Sequence, residues 1–208
     1  METGKQKAEG TRRPSIIVTG RPDSDCRRNM DITLLPRVDP AVFKRLIGNL
    51  HYDRDAYERN LVSLKDVLDK HGVPFFLAFG TLLGSCREGN FIQDDQDVDV
   101  LVMERDEDRL VGALLSEEFA KSGLSLIRTH ERYLVSVSAG AGYVDVYVFR
   151  PEGLLSKCWQ YSIETERLEH PEKRLFLGLE YLVPRDPESY LTEKYGDWRT
   201  KSEKHASS

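Results

Sequence analysis

Between residues 55 and 70 the apolar positions fall at helical spacing. Tyr57, Leu61, Leu64 and Leu68 recur four, three and four residues apart, behind Asp55 and Glu58, which resemble a capping pair. The pattern predicts an amphipathic helix. His71-Gly72-Val73-Pro74 stops it, because Gly takes a left-handed cap and Pro cannot continue the ladder, and His71 reads as a helix-end cation. Phe75-Phe76-Leu77-Ala78-Phe79 is then a continuous apolar run of strand length, predicted as a central strand buried on both faces. Gly80-Thr81 breaks the run, and residues 82–87 read as a short helix ending near Gly89.

Further on the period changes to two. Asp97-Val98-Asp99-Val100 alternates and then becomes apolar through Met103, predicting a second strand. A helix is predicted over 106–121, with Leu110, Leu114 and Leu115 on its apolar side. Strands over 133–139 and 143–149 are joined by Gly140-Ala141-Gly142 as a hairpin. Asp186-Pro187-Glu188 opens a last helix carrying Tyr190, Leu191 and Tyr195 and ending at Gly196. Residues 1–35 are rich in Gly, Pro and charge, with one short apolar island at Ser15-Ile16-Ile17-Val18, and read as a flexible arm whose Arg12, Arg13, Arg27 and Arg28 are solvated. Residues 36–200 read as one domain and 201–208 as a frayed tail.

Bulk properties narrow the function. With 208 residues, 39% hydrophobic and 31% charged, the chain can bury one core beneath a solvated surface. A net charge of −5 argues against nucleic acid as a partner, since phosphate binders carry excess Lys and Arg. No apolar run approaches membrane-spanning length and the N-terminus lacks a secretory pattern, so a soluble, cytoplasmic protein is expected. Cys26, Cys86 and Cys158 are widely spaced and read as free thiols rather than zinc ligands.

Side chains two apart on a strand share a face, so the backbone aims Asp97 and Asp99 at one spot. Asp145 stands on the non-valine face of Tyr143–Phe149; were the two strands neighbours, about 4.8 Å apart, a third carboxylate would join the pair. Two like charges about 4 Å apart repel by on the order of 4 kcal/mol at an effective dielectric near 20. A hard divalent cation, Mg²⁺ or Mn²⁺, relieves that repulsion, and catalytic as well as metal-ligating roles are expected of Asp97, Asp99 and Asp145. The plain alternative is a polar edge-strand face. Gly80 and Thr81 are candidates for cradling a donor phosphate at a helix N-terminus, and Arg87 for clamping it.

The run from Phe76 through Gly80-Thr81-Leu82-Leu83-Gly84 to Ile92, leading into Asp95-Gln96-Asp97-Val98-Asp99, resembles the LicD phosphotransferase family, whose motif fukutin-like enzymes share. Similarity continues through Val144-Asp145-Val146, Phe176-Leu177-Gly178, Val183-Pro184, Tyr190-Leu191 and Tyr195-Gly196-Asp197-Trp198. The resemblance implies a nucleotidyltransferase-like α/β (α+β) fold, a mixed sheet flanked by helices. It also implies Mg²⁺-dependent transfer of phosphocholine or a polyol phosphate from a CDP-linked donor to a hydroxyl acceptor, a sugar or glycan. On this match Asp97 and Asp99 are the metal pair, Asp145 the third acid or the base, Gly80 and Thr81 the donor-phosphate turn, and Asp95 a candidate substrate-binding residue. Where the family usually carries Trp, this chain has Asp94, which removes an aromatic surface for a base or choline-like cation. Trp159, Tyr161, Tyr195 and Trp198 are candidate replacements or structural anchors. Nucleotidyl transfer from an NTP and inactive nucleotide binding are the alternative functions.

Overall fold

In the computed structural model, which describes residues 30–48, 51–93 and 95–201, the apolar periodicities become a mixed α/β fold. The Arg12, Arg13, Arg27 and Arg28 reading, the 15–18 island, Cys26, Asp94 and tail residues 202–208 lie outside the described residues. Residues 30–35, read as the end of an arm, turn through a 3-10 helix at Ile32–Leu34. Ile32 is fully buried and its N–H donates to Glu107 Oε1 at 3.0 Å, so packed chain begins before residue 36.

Helix α1 (Pro40–Ile47) starts at an Asp39 cap with Pro at its first position. It is absent from the periodicity reading because none of its side chains is fully buried. Helix α2 (Arg54–Lys70) buries Tyr57, Leu61, Leu64 and Leu68, as the spacing predicts. Its cap is Asp53 rather than Asp55: the Asp53 carboxylate accepts from the Ala56 N–H at 2.9 Å. His71 closes the helix and Gly72 follows at φ 62°.

Strand β1 (Phe76–Leu77) is shorter than the apolar run, because helix α3 (Phe79–Arg87) already begins at Phe79. Strand β2 (Val98–Met103) follows, fully buried. The single helix expected over 106–121 is instead a 3-10 turn at Glu104–Asp106, α4 (Glu107–Leu114) and α5 (Glu117–Lys121). Ser116 makes the break: extended at ψ 164°, it accepts from the Phe119 N–H and caps a new helix.

Strands β3 (Ser125–His130), β4 (Leu134–Ser138) and β5 (Val144–Glu152) come next, then the hairpin β6 (Leu155–Cys158) and β7 (Tyr161–Glu164). Helix α6 (Thr165–Glu169), hairpin β8 (Glu172–Phe176) and β9 (Leu179–Val183), and α7 (Pro187–Tyr195) complete the described chain. The main sheet runs β3-β4-β5-β2-β1-β9-β8, with β6 and β7 extending from β5. Its centre fixes the site: β2 and β5 lie parallel, and Asp99 pairs with Asp145 in register. Val98, Val100, Val102 and Val144, Val146, Val148 are all fully buried on the opposite face, so burial of the valines turns Asp99 and Asp145 together onto the other face, where they too are buried.

Candidate functional site

Asp95, Asp97 and Asp99 bring one carboxylate oxygen each to within 4.8 Å of one another, the one such group of metal-ligating side chains found among the described residues. Three hard oxygen donors at this separation suit Mg²⁺ or Mn²⁺. The triple differs from the one expected, with Asp95 standing where Asp145 was placed. Asp145 does lie beside Asp99, yet both its oxygens are engaged: Arg128 donates to Oδ2 at 2.5 Å, and the Ser136 hydroxyl donates a short bond to Oδ1. The Arg128 Nε also donates to Ser136 Oγ at 2.9 Å, closing the cluster. Phe43 of α1 covers the guanidinium, its ring centroid 4.0 Å away.

Local chain geometry explains how the acids come so close. The Asp99 N–H donates to Thr81 Oγ1 at 2.8 Å and the Gly80 N–H to Asp99 Oδ2 at 3.3 Å, so the first turn of α3 holds the start of β2. A side chain at residue 80 would put its Cβ 2.0 Å from Asp95 Oδ2, and only glycine admits that carboxylate. The groups expected to cradle a donor phosphate thus position Asp99 and Asp95. Tyr143 steadies the next acid, donating from its hydroxyl to Asp97 Oδ2 at 3.1 Å, and the Tyr57 hydroxyl donates to the Asp95 carbonyl at 3.0 Å. Arg87, expected as a phosphate clamp, sits at the far end of α3. There it donates to Glu88 Oε1 at 2.8 Å and to the Trp198 carbonyl at 3.4 Å, satisfied by its own neighbour and a carbonyl of the turn beyond α7.

Electrostatics follow from this crowding. Burial, then the charges of Asp145 and Asp95, push the Asp97 carboxyl up to about 7. Burial raises Asp99 well above the carboxylate range, with Asp97, Asp145 and Asp95 acting the same way. Burial also raises Asp145, against the opposing charge of Arg128. Each shift states the cost of holding negative charge here without a cation.

Three residues around the acids are not among the candidates named from the sequence. Arg128 is hidden because β3 carries a register shift between Leu126 and Arg128, which spoils the alternation. Tyr143 was legible: it stands two residues before Asp145, on the same face. Lys194 of α7 extends to the site, its ammonium 4.4 Å from the Phe79 ring centroid and 5.0 Å from that of Tyr161. Burial lowers its pKa, and the charge of Asp99 opposes that. Of the candidate aromatics, Trp198 is a structural anchor, buried and donating from Nε1 to Thr192 Oγ1 at 3.1 Å. Trp159 is exposed and stacks on Tyr133, with centroids 5.8 Å apart. Cys86 and Cys158 are free thiols, as expected. A cavity of about 700 Å³ between α1 and the 140–142 turn has none of the acids in its wall; donor chemistry, not volume, locates the site.

The family model for LicD/FKTN/FKRP, nucleotidyltransferase domain, matches residues 72–186, the span that holds every acid above. An uncharacterized protein of Rickettsia typhi is 26% identical over 139 residues, covering 64% of this chain but 43% of its own length. The chain thus spans less than half of that relative. Among solved structures, the lincosamide antibiotic adenylyltransferase LnuA, lincomycin-bound, aligns with TM-score 0.46 and 12% identity over 71% of this chain and 90% of its own. ANT(2")-Ia in complex with adenylyl-2"-tobramycin aligns with TM-score 0.45 and 13% identity over 65% and 77%. Among the described residues no helix is long and apolar enough to cross a membrane.

Proposed function

Because the chain belongs to the LicD/FKTN/FKRP nucleotidyltransferase family, we propose that it is a metal-dependent phosphotransferase. It moves a phospho-alcohol group, phosphocholine or a polyol phosphate, from a CDP-linked donor to a hydroxyl acceptor of sugar or glycan class. The observation that carries this reading is the convergence of Asp95, Asp97 and Asp99 within 4.8 Å on a fold that pairs Asp99 with Asp145.

Asp95, Asp97 and Asp99 would hold Mg²⁺ or Mn²⁺. Such an ion, when bound, neutralises phosphate charge and orients an in-line displacement. The chain's own groups prepare that arrangement. Tyr143 fixes one oxygen of Asp97, while Thr81 and Gly80 fix the backbone and carboxylate of Asp99, so little reorganisation remains at the moment of reaction. Asp145 is assigned the acceptor's proton: the hydroxyl oxygen bonds to phosphorus, CMP leaves with the electron pair of the broken bond, and the proton passes to a carboxylate kept basic by burial. Arg128 must swing from Asp145 for this to occur, and its charge is then free to meet the phosphate. Arg87 has no part in the proposal.

A thermal-shift panel of CTP, ATP, CDP-choline and CDP-ribitol with Mg²⁺ tests the reading. A bound donor stabilises by about 2.7 kcal/mol at a hundredfold excess over its dissociation constant. Selective stabilisation by a CDP-linked compound is expected; selective stabilisation by ATP would overturn the donor assignment.

A further inference from the structure

The acidic centre repels the phosphates it is meant to receive, which directs attention to the cations around it. Arg128 is paired with Asp145 and Arg87 with Glu88. Lys194 differs: among the described residues its ammonium forms no ion pair and lies over aromatic rings, although the charge of Asp99 acts on it. It lies instead among aromatic faces, with ring centroids of Phe79 at 4.4 Å, Tyr161 at 5.0 Å and both Tyr190 and Tyr195 at 5.9 Å.

That bed aims the ammonium. Asp186 caps α7, and Tyr190 and Leu191 anchor it in the core, so the stem of Lys194 leaves a fixed helix. Phe79 immediately precedes Gly80, the residue against which Asp95 and Asp99 pack. On its other side Lys194 lines a cavity of about 420 Å³ together with Gln160, Tyr161, Arg167 and Tyr190. Arg167, in the same wall, is already bound to Glu164 and Glu193. Lys194 therefore offers a half-buried, carboxylate-free positive charge on the boundary between an open cavity and the acidic triple. Aromatic faces hold an ammonium without neutralising it, so its attraction for an anion survives.

We propose that Lys194 is a substrate-binding residue that receives a phosphate of the donor, holding it at the cavity side of the acidic centre. This rests on the transferase reading above and adds a recognition group to it. It also implies that the ring cluster of Phe79, Tyr161, Tyr190 and Tyr195 serves the protein's own cation rather than a cationic head group of the substrate.

Calorimetric titration of the full chain with inorganic pyrophosphate in the presence of Mg²⁺ tests it, using wild type, Lys194→Met and Lys194→Arg. Methionine keeps the apolar stem and removes the charge; arginine keeps the charge. Losing one charge-assisted contact weakens pyrophosphate about tenfold or more in Lys194→Met, while Lys194→Arg keeps most of the affinity. Unfolding temperature is recorded alongside. Equal pyrophosphate affinity in wild type and Lys194→Met, with or without a lower unfolding temperature, assigns the residue a structural role and overturns the proposal, leaving the acidic centre intact. Wild type that binds no pyrophosphate with Mg²⁺ present also overturns this proposal, while the transferase reading stands or falls separately on the thermal-shift panel of nucleotides.

Discussion

At Asp97, burial and two neighbouring carboxylates act in one direction, lifting its pKa to about 7 from an ordinary 3.8. Between those values the folded chain keeps a proton that the unfolded chain has lost, so stability falls as pH rises from about 4 through about 7 and levels off above. A chelator-treated sample is expected to melt at a lower temperature near pH 8 than near pH 5, and Asp97→Asn to flatten that slope. Saturating Mg²⁺ favours the ionised carboxylates and narrows the difference, releasing protons as it binds. The same logic governs removal of a charge. Asp97→Asn and Asp99→Asn should abolish transfer while leaving the metal-free protein as stable as wild type or more so, because each relieves repulsion among buried like charges. Paired activity and melting measurements check this; a variant that loses both activity and stability would point to a structural acid instead.

Two glycines show how the elements are locked around the acids. Gly80→Ala would drive a Cβ into the Asp95 carboxylate, so Mg²⁺ affinity measured by calorimetry should fall about tenfold or more while circular dichroism stays native. Gly142 holds φ 61°, and a Cβ there would meet the Tyr57 ring at 2.5 Å, on the turn that Asn60 also grips through the Ala141 carbonyl. Gly142→Ala is expected to cost about 2 kcal/mol in denaturant unfolding, combining backbone strain with a clash. Elements whose burial follows a period were legible from the chain: α2, β2, the β4–β5 hairpin and α7. Those that were not had a physical reason to hide. Strand β3 exposes much of itself and shifts register, while β6 to β9 are short hairpin strands whose partly exposed residues blur the alternation. Helix α1 opens with Asp39-Pro40, the same start signal that revealed α7, but lacks a buried stripe to support it. At the candidate site, same-face spacing singled out Asp97, Asp99 and Asp145 as candidates. It could not show that Asp95 folds back onto Gly80, nor that Arg128 holds Asp145, because both depend on contacts across the sheet and turn rather than along the chain.

Across the whole molecule, parallel pairing of β2 and β5 at the sheet centre turns separate stretches of sequence into one acidic patch, and the flanking layers hold that pairing in place. The stretch at residues 30–35 belongs to this scaffold: Ile32 is fully buried and its N–H reaches Glu107, which Arg150 of β5 binds through both carboxylate oxygens. Ile32→Ala should therefore destabilise the fold by roughly 2–5 kcal/mol in chemical unfolding, as for a buried aliphatic side chain cut back to a methyl. The matched family span, residues 72–186, holds the acids, while Lys194 lies just beyond it on α7, tying the C-terminal helix to the same centre. The most direct test of a divalent-cation centre is a Mn²⁺ titration of the wild-type chain and Asp99→Asn, read by the loss of free-ion paramagnetic signal. Saturable Mn²⁺ binding by wild type that the single carboxylate-to-amide change abolishes is the predicted result; no saturable binding by wild type, or identical isotherms for both proteins, would contradict it.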